Sequence, residues 1–78
     1  MEAYVLVNCE AGQSWKIADA ALKMKNVKMA HAITGQFDAI AYVEFSDMDV
    51  LTEILDEFQK IPGIQKTHTA VAIPPKLQ

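Results

Sequence analysis

The tract "AYVLV" (residues 3–7) returns as "AYVEF" (41–45), and a second tract downstream of each copy returns as well. "KMKNVKMAHA" (23–32) is answered by "KIPGIQKTHTA" (60–70), which lays Val27 over Ile64 and His31 over His68. Self-similarity at a fixed spacing is the mark of a duplicated structural unit. Between the two tracts of each copy lies a segment with helical spacing of apolar residues, so each half reads strand–helix–strand. Two such halves fill all 78 residues, which leaves one domain, 1–78, with a small core. A partner chain is expected to add to its stability.

Fused in sequence, the halves give the order β-α-β-β-α-β. That is an α+β fold of the ferredoxin-like kind, a four-stranded antiparallel sheet with two helices on one face. Leu51, Ile54, Leu55, Phe58 and Ile61 define the inner face of the second helix. Ser46 with Asp49 reads as a capping box at its start, and Pro62-Gly63 stops it. The first helix is expected over about Ser14 to Lys25. Ile17, Ala18, Ala21 and Leu22 would face the sheet, with Lys16, Asp19 and Lys23 in water. The strands do not alternate cleanly between apolar and polar. If Val5, Val7, Val43 and Phe45 meet the helices, then Tyr4, Leu6, Ile40 and Tyr42 form an opposite face too apolar to leave in water. A homodimer through that face is the expectation.

Composition removes several classes of function. A net charge of −3 with no basic stripe argues against direct nucleic-acid binding. No run approaches the roughly 18 apolar residues of a membrane helix, so the expected compartment is the cytoplasm. Cys9 is the one cysteine and lacks any ligand spacing, which reads as a buried structural thiol. His31 and His68 fall on strands expected at opposite edges of the sheet, too far apart to act together within one subunit. Asp47 and Asp49 read as helix capping, and Asp56 and Glu57 as a solvated helix face. No base-and-orienter arrangement surrounds Ser14, Cys9 or the threonines. The residues therefore offer no catalytic group, no metal site and no cofactor.

Two places remain. In "HAITGQFDAIAYVEF" (31–45), Gly35 permits positive φ and Asp38 accepts hydrogen bonds from nearby amides, which is ordinary hairpin chemistry. The same groups suit a small zwitterion, with Asp38 toward an ammonium and backbone amides toward a carboxylate. Thr67 and Thr69, two apart on the last strand, share a face with His68 on the other. They are either edge-strand residues or a hydroxyl pair for a ligand carboxylate.

Over nearly its full length the chain resembles the C-terminal effector domain of the Lrp/AsnC (feast/famine) transcription regulators, the regulation-of-amino-acid-metabolism domain. "AYVLV", "NVKMAHAITGQFDAIAYVEF" and "IPGIQKTHTAVAI" carry the resemblance, and Thr34-Gly35 followed by Phe37-Asp38 and an apolar strand is its most specific part. The resemblance implies a fold that dimerises through its sheet, with dimers assembling into octamers or decamers and an amino-acid effector bound between dimers. It implies a pocket lined by Gly35, Gln36, Phe37 and Asp38 with Thr67 and Thr69. The helix-turn-helix of full-length regulators is missing, and Met1 close before the first strand favours a natural short protein over a fragment. A stand-alone module of this kind would sense amino acids or co-assemble with full-length regulators. Two other classes stay open: a small dimeric enzyme of the monooxygenase-like type using His31 or His68, and an interaction module without a ligand. A metal-transfer module is disfavoured, because "NCEAGQSW" supplies a single cysteine.

Overall fold

The computed structural model describes residues 1–75. Its elements are β1 (Glu2–Cys9), α1 (Ser14–Leu22), β2 (Val27–Ala32), β3 (Ala39–Glu44), α2 (Met48–Gln59) and β4 (Ile64–Val71). All strand pairs are antiparallel and the sheet order is β2-β3-β1-β4. This is the ferredoxin-like α+β arrangement that the duplicated halves require, with β2 and β4 at the two edges.

Alternation along the strands decides which face is covered. Ala3, Val5, Val7 and Cys9 of β1 are buried, as are Ala39, Ala41 and Val43 of β3. They join Ile17, Ala18 and Ala21 of α1 and Leu51, Ile54 and Phe58 of α2 in one core cluster. Phe58 has no exposed surface, and full burial of such a side chain contributes about 1.5–3 kcal/mol. On the other face stand Tyr4, Leu6, Ile40 and Tyr42, half-buried or exposed, with no helix over them. The expected division of the sheet into a covered and an uncovered apolar face holds.

Three local details depart from expectation. The first helix ends at Leu22 rather than near Lys25, its last turn closed by i→i+3 bonds from Lys23 and Met24 to Ala20 and Ala21. The chain must extend by Val27 to enter β2, so the last turn tightens and stops. Leu22 then lies outside the sheet-facing stripe and is 49% exposed. At the second helix the cap is Asp47 rather than Ser46. Asp47 is extended (φ −155°, ψ 174°) and its Oδ1 accepts the Val50 N–H at 3.0 Å, so there is no Ser46/Asp49 capping box. Asp49 still sits in the first turn, where a carboxylate complements the helix dipole.

Candidate functional site

The segment between β2 and β3 is held at several points. The Ile33 N–H donates to the Asp38 carbonyl at 3.0 Å, and the Asp38 N–H donates to the Val7 carbonyl at 2.8 Å. Asn8 Nδ2 donates to the Gln36 carbonyl at 2.8 Å. At the register shift between Asn8 and Cys9 in the β1–β4 ladder, the Cys9 N–H is taken by Asp38 Oδ2, also at 2.8 Å. A carboxylate has two acceptor oxygens. Fixing one of them through a charge-assisted bond orients the other at no further entropic cost.

Gly35 sits at the exposed tip with φ +109°, in the region side chains rarely adopt, and a Cβ there would meet nothing within 4 Å. Conformation rather than crowding requires the glycine. Gln36 is exposed and offers its carbonyl to Asn8, while Phe37 and Asp38 are half-buried. The Phe37 ring lies 5.9 Å from the His68 ring, tilted by 35°. His68 is the register partner of Leu6, so the loop folds across the uncovered sheet face at the end of β1.

The threonines go elsewhere. Thr67 is opposite Val7 and Thr69 opposite Val5, which puts both on the helix-covered face. Thr67 Oγ1 accepts from Gln59 Nε2 of α2 at 3.0 Å. Within one protomer the structure therefore brings Gly35, Gln36, Phe37 and Asp38 together and leaves Thr67 and Thr69 on the other side of the sheet. Two open grooves, about 460 and 390 Å³, lie against α2 and against the Met1–Glu44 end of the sheet, and neither includes these six residues.

Asn8, His68 and the Cys9 amide are participants that sequence reasoning did not single out for the loop. An asparagine closing an otherwise apolar strand was the only available signal. The Cys9 thiol itself is buried, and burial followed by the nearby Asp38 carboxylate raises its pKa above the ordinary value. His31 and His68 stand in one row across the uncovered face, next to Ile40 and Leu6 respectively and on opposite edge strands. The geometry gives them no shared substrate position. Among the described residues no group of three His, Cys, Asp or Glu side chains is placed to hold a metal ion. No helix among them is long and apolar enough to cross a membrane.

Residues 2–75 match the family model of the Lrp/AsnC ligand binding domain. The chain belongs to this family. Among curated proteins the domain is 26% identical over 73 residues to the HTH-type transcriptional regulator FL11 of Pyrococcus abyssi, a match covering 94% of the domain and 48% of the regulator. It thus spans about half the length of the curated relatives it matches. Among solved structures it superposes on protein PHS023 from Pyrococcus horikoshii with a TM-score of 0.84 and 32% identity, covering 95% of this chain and 90% of that one. The Neisseria meningitidis transcriptional regulator NMB0573, solved as a complex with L-Met, shares the fold at a TM-score of 0.81 and 21% identity. That match covers 99% of this chain and 52% of the regulator. The domain is therefore of a regulatory family, related to transcription regulators.

Proposed function

We propose that the domain is an amino-acid-binding and oligomerisation module that converts effector binding between dimers into a change of assembly. The observation that carries this reading is the pre-fixed Asp38 carboxylate, one oxygen held by the Cys9 amide, beside an exposed glycine tip with open space around it. Asp38 takes the effector ammonium, Gly35 and Gln36 present backbone to its carboxylate, and Phe37 walls its side chain. Thr67 and Thr69 join such a pocket only if a neighbouring copy supplies them. Membership of a ligand-binding family supports the reading, as does the L-Met complex of the Neisseria meningitidis regulator.

The uncovered face of Tyr4, Leu6, Ile40 and Tyr42 is the surface through which two copies dimerise. At roughly 25 cal/mol per Å², covering these side chains supplies stability that a chain this short lacks. An effector that prefers one assembly shifts the population toward it by its differential affinity and no more. Because the domain matches half of each full-length regulator, co-assembly with such regulators in the cytoplasm is the biological setting we propose.

The test is thermal unfolding against the twenty amino acids with scattering mass recorded on each sample. Selective stabilisation by a few of them, with a mass change, both lost in Asp38→Asn, is the expected result. A uniform response from a folded oligomer overturns effector binding and favours an interaction module without a ligand.

A further inference from the structure

The outer edge of β2 is unpaired, and α1 overhangs it. Backbone bonds at the two ends of β2 fix which of its residues face outward. The Asn26 carbonyl accepts the Glu44 N–H at 3.0 Å, and the Ile33 N–H donates to the Asp38 carbonyl at 3.0 Å. Hydrogen-bonded pairs alternate along an antiparallel ladder. Met29 and His31, opposite Tyr42 and Ile40, therefore turn their backbone groups into the sheet, and Ala30 and Ala32 turn theirs away from it. Because β2 ends the strand order, those outward N–H and C=O groups meet no further strand among the described residues. The side chains of Ala30 and Ala32, opposite Ala41 and Ala39, lie on the helix-covered face.

The flank of α1 above this edge is apolar at two points. Gln13 and Ile17 pack at Gly63, in the turn between α2 and β4, which marks the flank of α1 that faces α2. Helical spacing puts Trp15, Asp19 and Leu22 on the opposite flank. Trp15 is 74% exposed and Leu22 49%. Seven residues apart, they stand about 10 Å from one another along the helix, roughly the length of three strand residues. α1 runs back into β2 through a short turn, so Leu22 lies toward the Val27 end of the strand and Trp15 toward the Ala32 end. Residues 15–32 also hold four of the seven lysines, Lys16, Lys23, Lys25 and Lys28, and one of the ten acids, Asp19. Among the described residues none of these four lysines is in an ion pair. A basic strip with two apolar knobs thus borders a free sheet edge in a chain of net charge −3.

We infer that the β2 edge and the Trp15–Leu22 flank form a docking site for an extended acidic segment of another protein, which adds a strand to the sheet. Backbone bonds to Ala30 and Ala32 hold the segment, and alternate side chains give the selectivity. Segment residues opposite Ala30 and Ala32 project toward the helix layer, where Trp15 and Leu22 meet apolar side chains. Exposed tryptophan is a residue type that commonly anchors an interface. The intervening residues project to the other side of the sheet, where Lys28 and His31 are exposed, and are Asp or Glu. A second copy of this chain does not suit the edge. Its edge strands carry Lys28 and Lys66 and no carboxylate, so pairing edge to edge sets like charges together. The contact uses neither Asp38 nor the face of Tyr4, Leu6, Ile40 and Tyr42, so it holds whether or not an effector binds.

The probe is an end-blocked peptide of about eight residues, a common strand length, in which Glu alternates with Val and Leu. Titrated into the parent chain, it should shift the emission of Trp15, the single tryptophan, to the blue. Amide exchange should slow at Ala30 and Ala32 and stay as it was at His31, whose N–H is already in the ladder. Binding should weaken as salt rises from 0.1 M to 1 M, where the screening length falls from about 10 Å to about 3 Å. The same peptide N-methylated at its apolar residues keeps its charge but cannot pair with the edge, and should not bind. Lys23→Glu with Lys28→Glu should weaken binding about tenfold or more, and Trp15→Ala should remove much of the rest. All three sites are exposed, so far-UV circular dichroism should match the parent chain.

Equal binding of the N-methylated peptide, or of one with its residues in scrambled order, overturns the proposal in favour of unspecific polyanion capture. Absence of binding at about 1 mM peptide, an affinity too weak for a specific contact, overturns it outright. Ala32→Pro removes an outward N–H without touching the ladder and should abolish peptide binding at unchanged mass. If Ala30 and Ala32 are instead protected in the peptide-free chain, and Ala32→Pro lowers its mass in sedimentation, the edge belongs to a second copy and the proposal falls.

Discussion

Tyr4 and Tyr42 stand directly opposite each other on the two central strands, their ring centroids 5.4 Å apart and their planes inclined by 53°. They are also equivalent positions of the duplicated tract, so the internal two-fold of the chain runs between these rings. The pairing that this symmetry imposes is not all favourable: two residues along, Glu2 lies opposite Glu44, and like charges directly opposed across a strand pair are destabilising. The phenol of Tyr42 meets this acidic end of the sheet.

Hydrogen bonding to the Glu2 carboxylate, followed by partial burial, pushes the Tyr42 phenol up to about 12. A raised folded-state pKa means the associated stability is fully present below the ordinary tyrosine value of about 10 and is lost as pH climbs from there toward 12. Ultraviolet titration should therefore show a tyrosinate component near pH 12. Tyr42→Phe should abolish it, and Glu2→Gln should move it to lower pH. A component that ignores Glu2→Gln would show that the carboxylate is not its cause.

Asp38 has a structural duty separable from any ligand. Asp38→Ala leaves the partly buried Cys9 amide without its acceptor, a loss of about 1–3 kcal/mol. For a domain of this size that lowers Tm by roughly 4–8 °C per kcal/mol. Asp38→Asn keeps an acceptor oxygen and should lose less than half as much. Equal losses in calorimetry would mean that the charge, and not the hydrogen bond, fixes the loop.

How far the fold could be read in advance differs between the inner and outer strands. Val, Tyr and Ala in register made β1 and β3 recognisable as copies, and their pairing about Tyr4 and Tyr42 obeys the repeat. The outer strands do not obey it. Val27 pairs with Val43, so the repeat asks Ile64 to pair with Val5, yet Thr69 holds that place and Ile64 pairs with Cys9. Register is set by ladder geometry and by the shift at Asn8 and Cys9, which residue similarity does not encode. The same limit governed the site. Gly35 and Asp38 were conspicuous by residue type, whereas the Cys9 amide belongs to the backbone and leaves no mark in sequence. Spacing showed that Thr67 and Thr69 share a face, but only the register with Val5 and Val7 shows which face it is.

Gly35→Ala tests conformation alone. With no atom within 4 Å of the added Cβ, steric contact contributes nothing, and the φ of +109° sets the cost at about 1–3 kcal/mol. A drop in Tm without loss of cooperativity is expected. A neutral result would mean that the loop relaxes to negative φ, which amide hydrogen exchange at Ile33 and Asp38 would report.

The position of the α2 cap yields a paired comparison. Asp47→Ala removes the acceptor of the Val50 amide and should cost about 1 kcal/mol. Ser46→Ala touches no bond of the cap and should stay within about 0.5 kcal/mol of the parent. The reverse ranking in denaturant melts would restore the Ser46/Asp49 capping box.

Cys9 closes the core next to the loop, and its thiol is held neutral by burial and by the Asp38 carboxylate. The thiolate is the reactive species, so at pH 8 a disulfide reagent should label native protein far more slowly than unfolded protein. The labelling rate should track opening of the β1 end. Asp38→Ala opens that end and removes one of the charges opposing ionisation, so it should speed labelling more than its effect on global stability explains. If labelling instead tracks global unfolding alone in both forms, the Asp38–Cys9 contact breaks only with the whole sheet. In that case the loop is as rigid as the core it caps, and an effector at Asp38 would read out assembly without loosening β1.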